Sequence, residues 1–375
     1  MFITSLVPIK ADVNGKVLFQ NPRPSSTRFC RPVRIQLVSE TTEVSINEKK
    51  HIENQIDQLV PTVITVEGRT IIVRYEMVLT MVDGKVCNAV TGNKSSQTCY
   101  ICNATPKLMN NLDSVTERVE NSDAFQFGLS TLHAWIRFME YFLHLSYRLE
   151  IKKWQVRGQN VQAMKIRKNQ IQKRFKVETG LIVDKPKPGG SGTSNDGNTA
   201  RRFFSDPKKT AAITGLDVTA LERCGTILQV LASGHKINTE RFSSYCIETA
   251  KYLVDLYPWY YMPASVHKIL IHGAQVINHF TVPIGQLSEE AQESRNKDLK
   301  RYRRDHTRKC SRTILNLDLI RRLLVSSDPL ISSMRKSPKK ETKNLSQDAK
   351  FLLSLDDGEE MDSEDEHDVS DDFEV

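Results

Sequence analysis

A chain of 375 residues, 39% of them hydrophobic, is long enough to bury more than one core, which excludes a wholly disordered polymer. No apolar run approaches the roughly 20 residues that span a bilayer, and Met1–Lys10 has neither a basic leader nor a small-residue cleavage pattern, so neither a membrane span nor a secretory signal is expected. The net charge of +8 conceals an asymmetry: Asp356–Val375 holds 12 Asp and Glu and no Lys or Arg, and setting those aside leaves +20 on residues 1–355. So basic a body is suited to polyanions, and the acidic end could compete for the same surface. Seven cysteines, of which only Cys99 and Cys102 lie close in sequence, fit a reducing compartment.

The first ninety residues read as β-rich. Phe2–Ile9 and Lys16–Phe19 are expected as strands joined through Asp12 to Gly15, and Val33–Val38 alternates as a strand does. Asn47–Leu59 has the apolar spacing of a short helix, with Ile52, Ile56 and Leu59 on one face. Val63–Val66 and a long arm, Thr70–Val82, are expected to pair through a Glu67-Gly68 turn. Asp83 would end that arm. Followed by Gly84, it reads either as a tight turn or as a carboxylate displayed at a strand end, where nucleases place ligands for Mg²⁺.

Cys99-Tyr-Ile-Cys102 spaces two thiolates for one tetrahedral zinc but supplies only half of its ligands. The candidate second half is His267-Lys-Ile-Leu-Ile-His272; a redox dithiol and two unrelated buried histidines are the competing readings. Asp123–Lys176 is expected to be helical, with a core-facing run from His133 through Leu145 and a basic continuation from Lys152 and Lys153 to Lys176. That continuation is either a solvated face or a phosphate-contacting arm. Lys185–Asn198 is Gly- and Ser-rich and lacks the Gly-Lys-Ser/Thr ending of a P-loop, so it reads as a linker or a backbone cradle, not as a nucleotide site.

Helices are expected at Thr199–Phe204, Leu216–Ala232, Thr239–Leu256, the histidine segment and Leu315–Leu324. Ser288 is expected to cap a further helix whose first turn carries Glu289 and Glu290. Glu293 follows, then Lys297, Lys300, Arg301 and Arg304 at helical spacing. Glu293 and Lys297 could form an ordinary surface ion pair, or one acid could reach a metal while the cations hold a phosphate backbone. Beyond Ser327 the composition predicts disorder.

Five segments, taken together and in order, resemble the catalytic core of Transib-type DDE transposases and their relative, the V(D)J recombination-activating protein one: Thr80–Val86, Cys99–Pro106, Asp196–Arg202, His267–His272 and Ser288–Lys297. The likeness runs from about Met1 to about Ser333. It implies an α/β fold, an RNase H-like mixed sheet interrupted by a large, mainly α-helical insertion that zinc closes on itself. It maps Asp83 and Glu293 onto catalytic acids that hold Mg²⁺ or Mn²⁺ for nicking and strand transfer, and Cys99, Cys102, His267 and His272 onto the zinc ligands. Double-stranded DNA at transposon ends is the implied substrate, in a nuclear and possible homodimeric enzyme. Lys152, Lys153, Arg201, Arg202, Lys297, Arg301 and Arg304 are the candidate DNA contacts.

The register also places the family's first catalytic Asp, with the first strand of its sheet, before Met1. Asp12 has no family counterpart. A two-metal site without its shared carboxylate loses its clamp, so this polypeptide alone is expected to be a poor or inactive nuclease. The alternative is a non-catalytic, zinc-stabilised DNA-binding protein regulated by its acidic tail; an interaction scaffold is a third reading. The expected divisions are an RNase H-like β-rich part at 1–90, the cysteine-pair zinc region with basic helices at 91–185 and the Gly/Ser-rich loop at 186–198. A helical histidine-pair region at 199–282, the last catalytic acid with C-terminal helices at 283–333 and a disordered acidic tail at 334–375 complete them.

Overall fold

The structure, a computed structural model, describes residues 2–21, 23–188, 192–334 and 345–354. It is mixed α/β and mainly helical. Strand β1 (Phe2–Leu6) pairs antiparallel with β4 (Arg31–Gln36), and between them β2 (Lys10–Val13) and β3 (Lys16–Gln20) form a hairpin. The hairpin turns at Asn14 and Gly15, both at positive φ, which suits a type I′ connection. Buried Asn21 closes its base, donating to Pro8 O at 2.8 Å. Helix α1 (Thr42–Asp57) starts earlier than its apolar spacing predicts because the Thr41 hydroxyl caps it. Its buried Glu48 accepts from Thr4 of β1 and Gln36 of β4 and pairs with Arg34 at 3.0 Å, so one carboxylate ties helix to sheet.

Strands β5 (Thr62–Val66) and β6 (Arg69–Val73) form the expected hairpin, with Glu67 and Gly68 at positive φ. The long second arm needs correction. The ladder ends at Val73, because β5 begins at Thr62 and no other strand lies beside the β-branched residues that follow. All three sheets among the described residues are two-stranded and antiparallel.

The helical body follows: α2 (Gly84–Val90), α3 (Pro106–Met109), α4 (Leu112–Thr116), a 3-10 turn at Ser122–Phe127, α5 (Thr131–Ser146), α6 (Asn160–Thr179), α7 (Gly197–Ser205), α8 (Pro207–Thr214), α9 (Val218–Ala232), α10 (Thr239–Leu256) and α11 (Ala264–Asn278). Ser130, Asp196, Asp206, Asp217 and Asn238 cap α5, α7, α8, α9 and α10, each accepting from a backbone N–H of the first turn. Each such cap is worth about 1 kcal/mol. The core is built on Phe138 and Phe142 of α5, with Phe175, Phe203 and Phe242 brought to them, all fully buried.

Three further helices, α12 (Glu290–Asp305), α13 (Arg312–Ser326) and α14 (Pro329–Met334), return to the N-terminal strands. Leu299, Leu319 and Leu323 form a second, small core against Ile3 and Ile35. Arg295 is fully buried there, donating to Ser326 Oγ at 2.7 Å and to the Thr27 carbonyl, and so joins α12, α13 and the loop before β4.

Two further expectations need correction. Lys152 and Lys153 stand in the turn between α5 and α6, not on a continuous basic helix; Lys152 lies at positive φ, which no helix accommodates. The segment 345–354 is ordered: α15 (Gln347–Phe351) and the residues after it bury Ala349, Leu352 and Leu353 against the body, and Leu353 bridges to Ile237. Three apolar side chains spaced to bury together outweigh the polar composition around them. The acidic residues 356–375 lie outside the described residues.

Candidate metal centre

The Cys99–Cys102 segment is a tight knuckle. Cys99 N–H donates to Ala104 O at 3.0 Å, Asn103 N–H donates back to Cys99 O at 2.8 Å, and Asn103 adopts a positive φ that lets the chain reverse. From outside, Arg118 Nε donates to Cys102 O at 2.8 Å and Asn121 N–H to Ile101 O at 2.7 Å. These bonds aim both sulfurs inward.

Opposite stands α11. Its two histidines are five residues apart, about 140° around an ideal helix, yet their ring centroids lie 5.3 Å from each other because both side chains lean toward the knuckle. Cys99, Cys102, His267 and His272 are each at most 2% exposed, and their ligand atoms all lie within 4.8 Å of one another. Cys102 Sγ is 3.3 Å from His267 Nε2. A tetrahedral zinc with bonds of about 2.0–2.3 Å would set its ligands roughly 3.5 Å apart.

The surrounding chemistry fits the same group. His272 Nδ1 lies 2.6 Å from Glu120 Oε1, a contact that suits a proton on Nδ1, and Nε2 is buried and makes no geometric hydrogen bond. A bond from the Cys102 thiol, with His267 and His272 beside it, pulls the Cys99 thiol well below its ordinary value despite burial. Facing that thiolate, Cys102 is pushed up. Burial opposes a proton on His272, but Cys99 and Glu120 more than offset it and raise its pKa. Two thiols and two imidazoles this close together, all buried, form a group that could hold a metal ion such as zinc. Among the described residues it is the one set of three or more His, Cys, Asp or Glu side chains so placed.

The other expected site residues are placed differently. Asp83 caps α2: one carboxylate oxygen accepts from Lys85 N and Val86 N, both at 2.9 Å. Glu293 is exposed on α12 and forms no ion pair with Lys297. Lys297, Arg301 and Arg304 are exposed; Arg301 leans toward Asp298 at 3.4 Å, and Arg304 grips Asp305 through two bonds. Arg201 pairs with Glu290, and Arg202 donates to Thr179 O at 2.7 Å, closing the end of α6.

Two features escaped the sequence reading. Glu120 gave no signal, being 152 residues from the histidine it orients. Glu289, read as a first-turn acid, is instead buried: its Oε1 accepts from Ser130, His133 N and His133 Nδ1, the last at 2.7 Å. Burial raises the Glu289 pKa, but its bonds to His133 and Ser130 win and the carboxyl is lowered; His133 is raised by the same contact.

No protein-family model matches the chain, and no curated protein matches it.

Proposed function

We propose that this chain is a transposase-derived protein of the Transib type whose metal-stapled helical body binds double-stranded DNA in the nucleus, and that it does not cut DNA by itself. The observation that carries the reading is the meeting of Cys99 and Cys102 with His267 and His272, segments 165 residues apart that the resemblance assigns to one zinc. Zinc bound there would be structural: four protein ligands leave no open position for chemistry. Beside it stands the charge of the body, with Lys297, Lys300, Arg301, Arg303 and Arg304 exposed on one helix. An RNase H-like core and a pair of Mg²⁺ or Mn²⁺ ions at Asp83 and Glu293 belong to the same family reading. Asp83 caps α2 through one carboxylate oxygen, and Glu293 is exposed on α12; the inactive reading rests on the family register, which puts the first catalytic Asp before Met1.

Two assays on the full chain test the proposal. Fluorescence anisotropy with a short duplex should give an affinity that falls steeply with salt, as phosphate contacts require. A nicking assay on Transib-end DNA with Mg²⁺ or Mn²⁺ should give no product; nicking abolished by Asp83→Ala and by Glu293→Ala would overturn the inactive reading.

A further inference from the structure

Where α12 ends, the chain turns through His306 to Arg308 and enters α13, leaving an open groove of about 690 Å³ between the two helices. Its charged lining is uneven once internal bonds are assigned. The two acids are engaged: Asp305 takes two bonds from Arg304, and Asp318 takes three from Arg308, through its backbone N–H, Nε and Nη2 at 2.8–3.0 Å. Arg308 holds Asp318 well below the usual carboxylate range, so that acid stays ionised and its pairing persists. Arg322, which lines the groove, spends only Nε, on the His306 carbonyl at 3.0 Å, and its Nη groups make no hydrogen bond among the described residues. Arg321, the next residue on α13, is exposed and makes no hydrogen bond or ion pair among the described residues, although its charge helps hold Asp318 ionised.

The groove therefore has neutralised walls and two adjacent guanidiniums with donors to spare. A guanidinium matches the paired oxygens of a phosphate, and an open groove suits an extended chain better than an enclosed small molecule. We propose that this groove between α12 and α13 is a phosphate-binding site for the DNA backbone, with Arg321 and Arg322 as its contacts and the exposed cations of α12 continuing the path. The proposal rests on the DNA-binding reading above and adds the place where backbone phosphate is held.

The test measures duplex affinity against salt for the full chain and for Arg321→Ala, Arg322→Ala and the pair. Each lost phosphate contact lowers the slope of log K against log salt by roughly 0.9, so the double variant should lose about two units of slope, and Arg321→Lys should largely restore its share. Circular dichroism melting should be unchanged in Arg321→Ala, whose side chain is exposed and makes no hydrogen bond among the described residues, and should shift only slightly in Arg322→Ala, which loses its bond to the His306 carbonyl. A wild-type slope retained in the double variant would overturn the groove while leaving DNA binding intact. Wild-type chain that does not bind duplex at all would overturn both.

Discussion

At the residue scale, the protein turns on side chains whose partners lie far along the chain. Glu120 orients His272, so Glu120→Gln should weaken zinc binding about 10–100-fold in competition with a chromophoric chelator, while the fold without metal changes little. The Glu289–His133 pair has its own signature. The Glu289 carboxyl is lowered on folding, so its contribution is present above the ordinary carboxyl range and is lost as pH falls through the folded value. The His133 imidazole is raised, so its contribution is full below about 6.5 and is lost as pH rises through its folded value. The stability lost in Glu289→Gln should thus be greatest between about pH 4.5 and 6.5, as read from denaturant melts across pH. A loss independent of pH would mean that the pair acts only by packing. The sequence offered Cys99 and Cys102 with His267 and His272 as one candidate group, and the fold brings the four side chains together. The orienting partners were not legible, because a lone Glu120 or Glu289 looks like any surface acid until the fold buries it.

At the element scale, amphipathic helices were the most legible: Thr239–Leu256 lies where it was expected, and the helix expected at Leu216–Ala232 starts two residues later, at Val218, because Asp217 caps it. The strands were less so. Residues 74–82 are rich in β-formers, but a strand needs a partner for its backbone, and sequence does not say whether one is present. The error at 345–354 has the opposite cause. Its polar composition hides two leucines that dock on the body, with Asn238 N–H donating to Leu352 O at 2.9 Å and Ser354 N–H to Lys236 O at 2.9 Å. Leu353→Ala should therefore cost about 2–5 kcal/mol, measured by denaturant melts; a disordered segment would lose nothing.

At the scale of the whole molecule, two features stand side by side: a helical body that brings two buried thiols and two buried imidazoles together, and a strong excess of positive charge on residues 1–355 opposed by the acids of 356–375. If those acids compete with DNA for the basic surface, deleting Asp356–Val375 should raise duplex affinity, most clearly at low salt, where charge is least screened. Unchanged affinity would remove the acidic end as a competitor. Helix α12 joins α13 and the loop before β4 through buried Arg295, while its exposed face carries the cations. The most direct measurement is metal content by elemental analysis of the purified full chain, beside Cys99→Ser and His267→Ala. One zinc per wild-type chain, lost in both variants together with a marked fall in thermal stability, is the predicted result. A metal-free wild-type chain that neither gains zinc nor changes its melting when zinc is supplied would contradict the account.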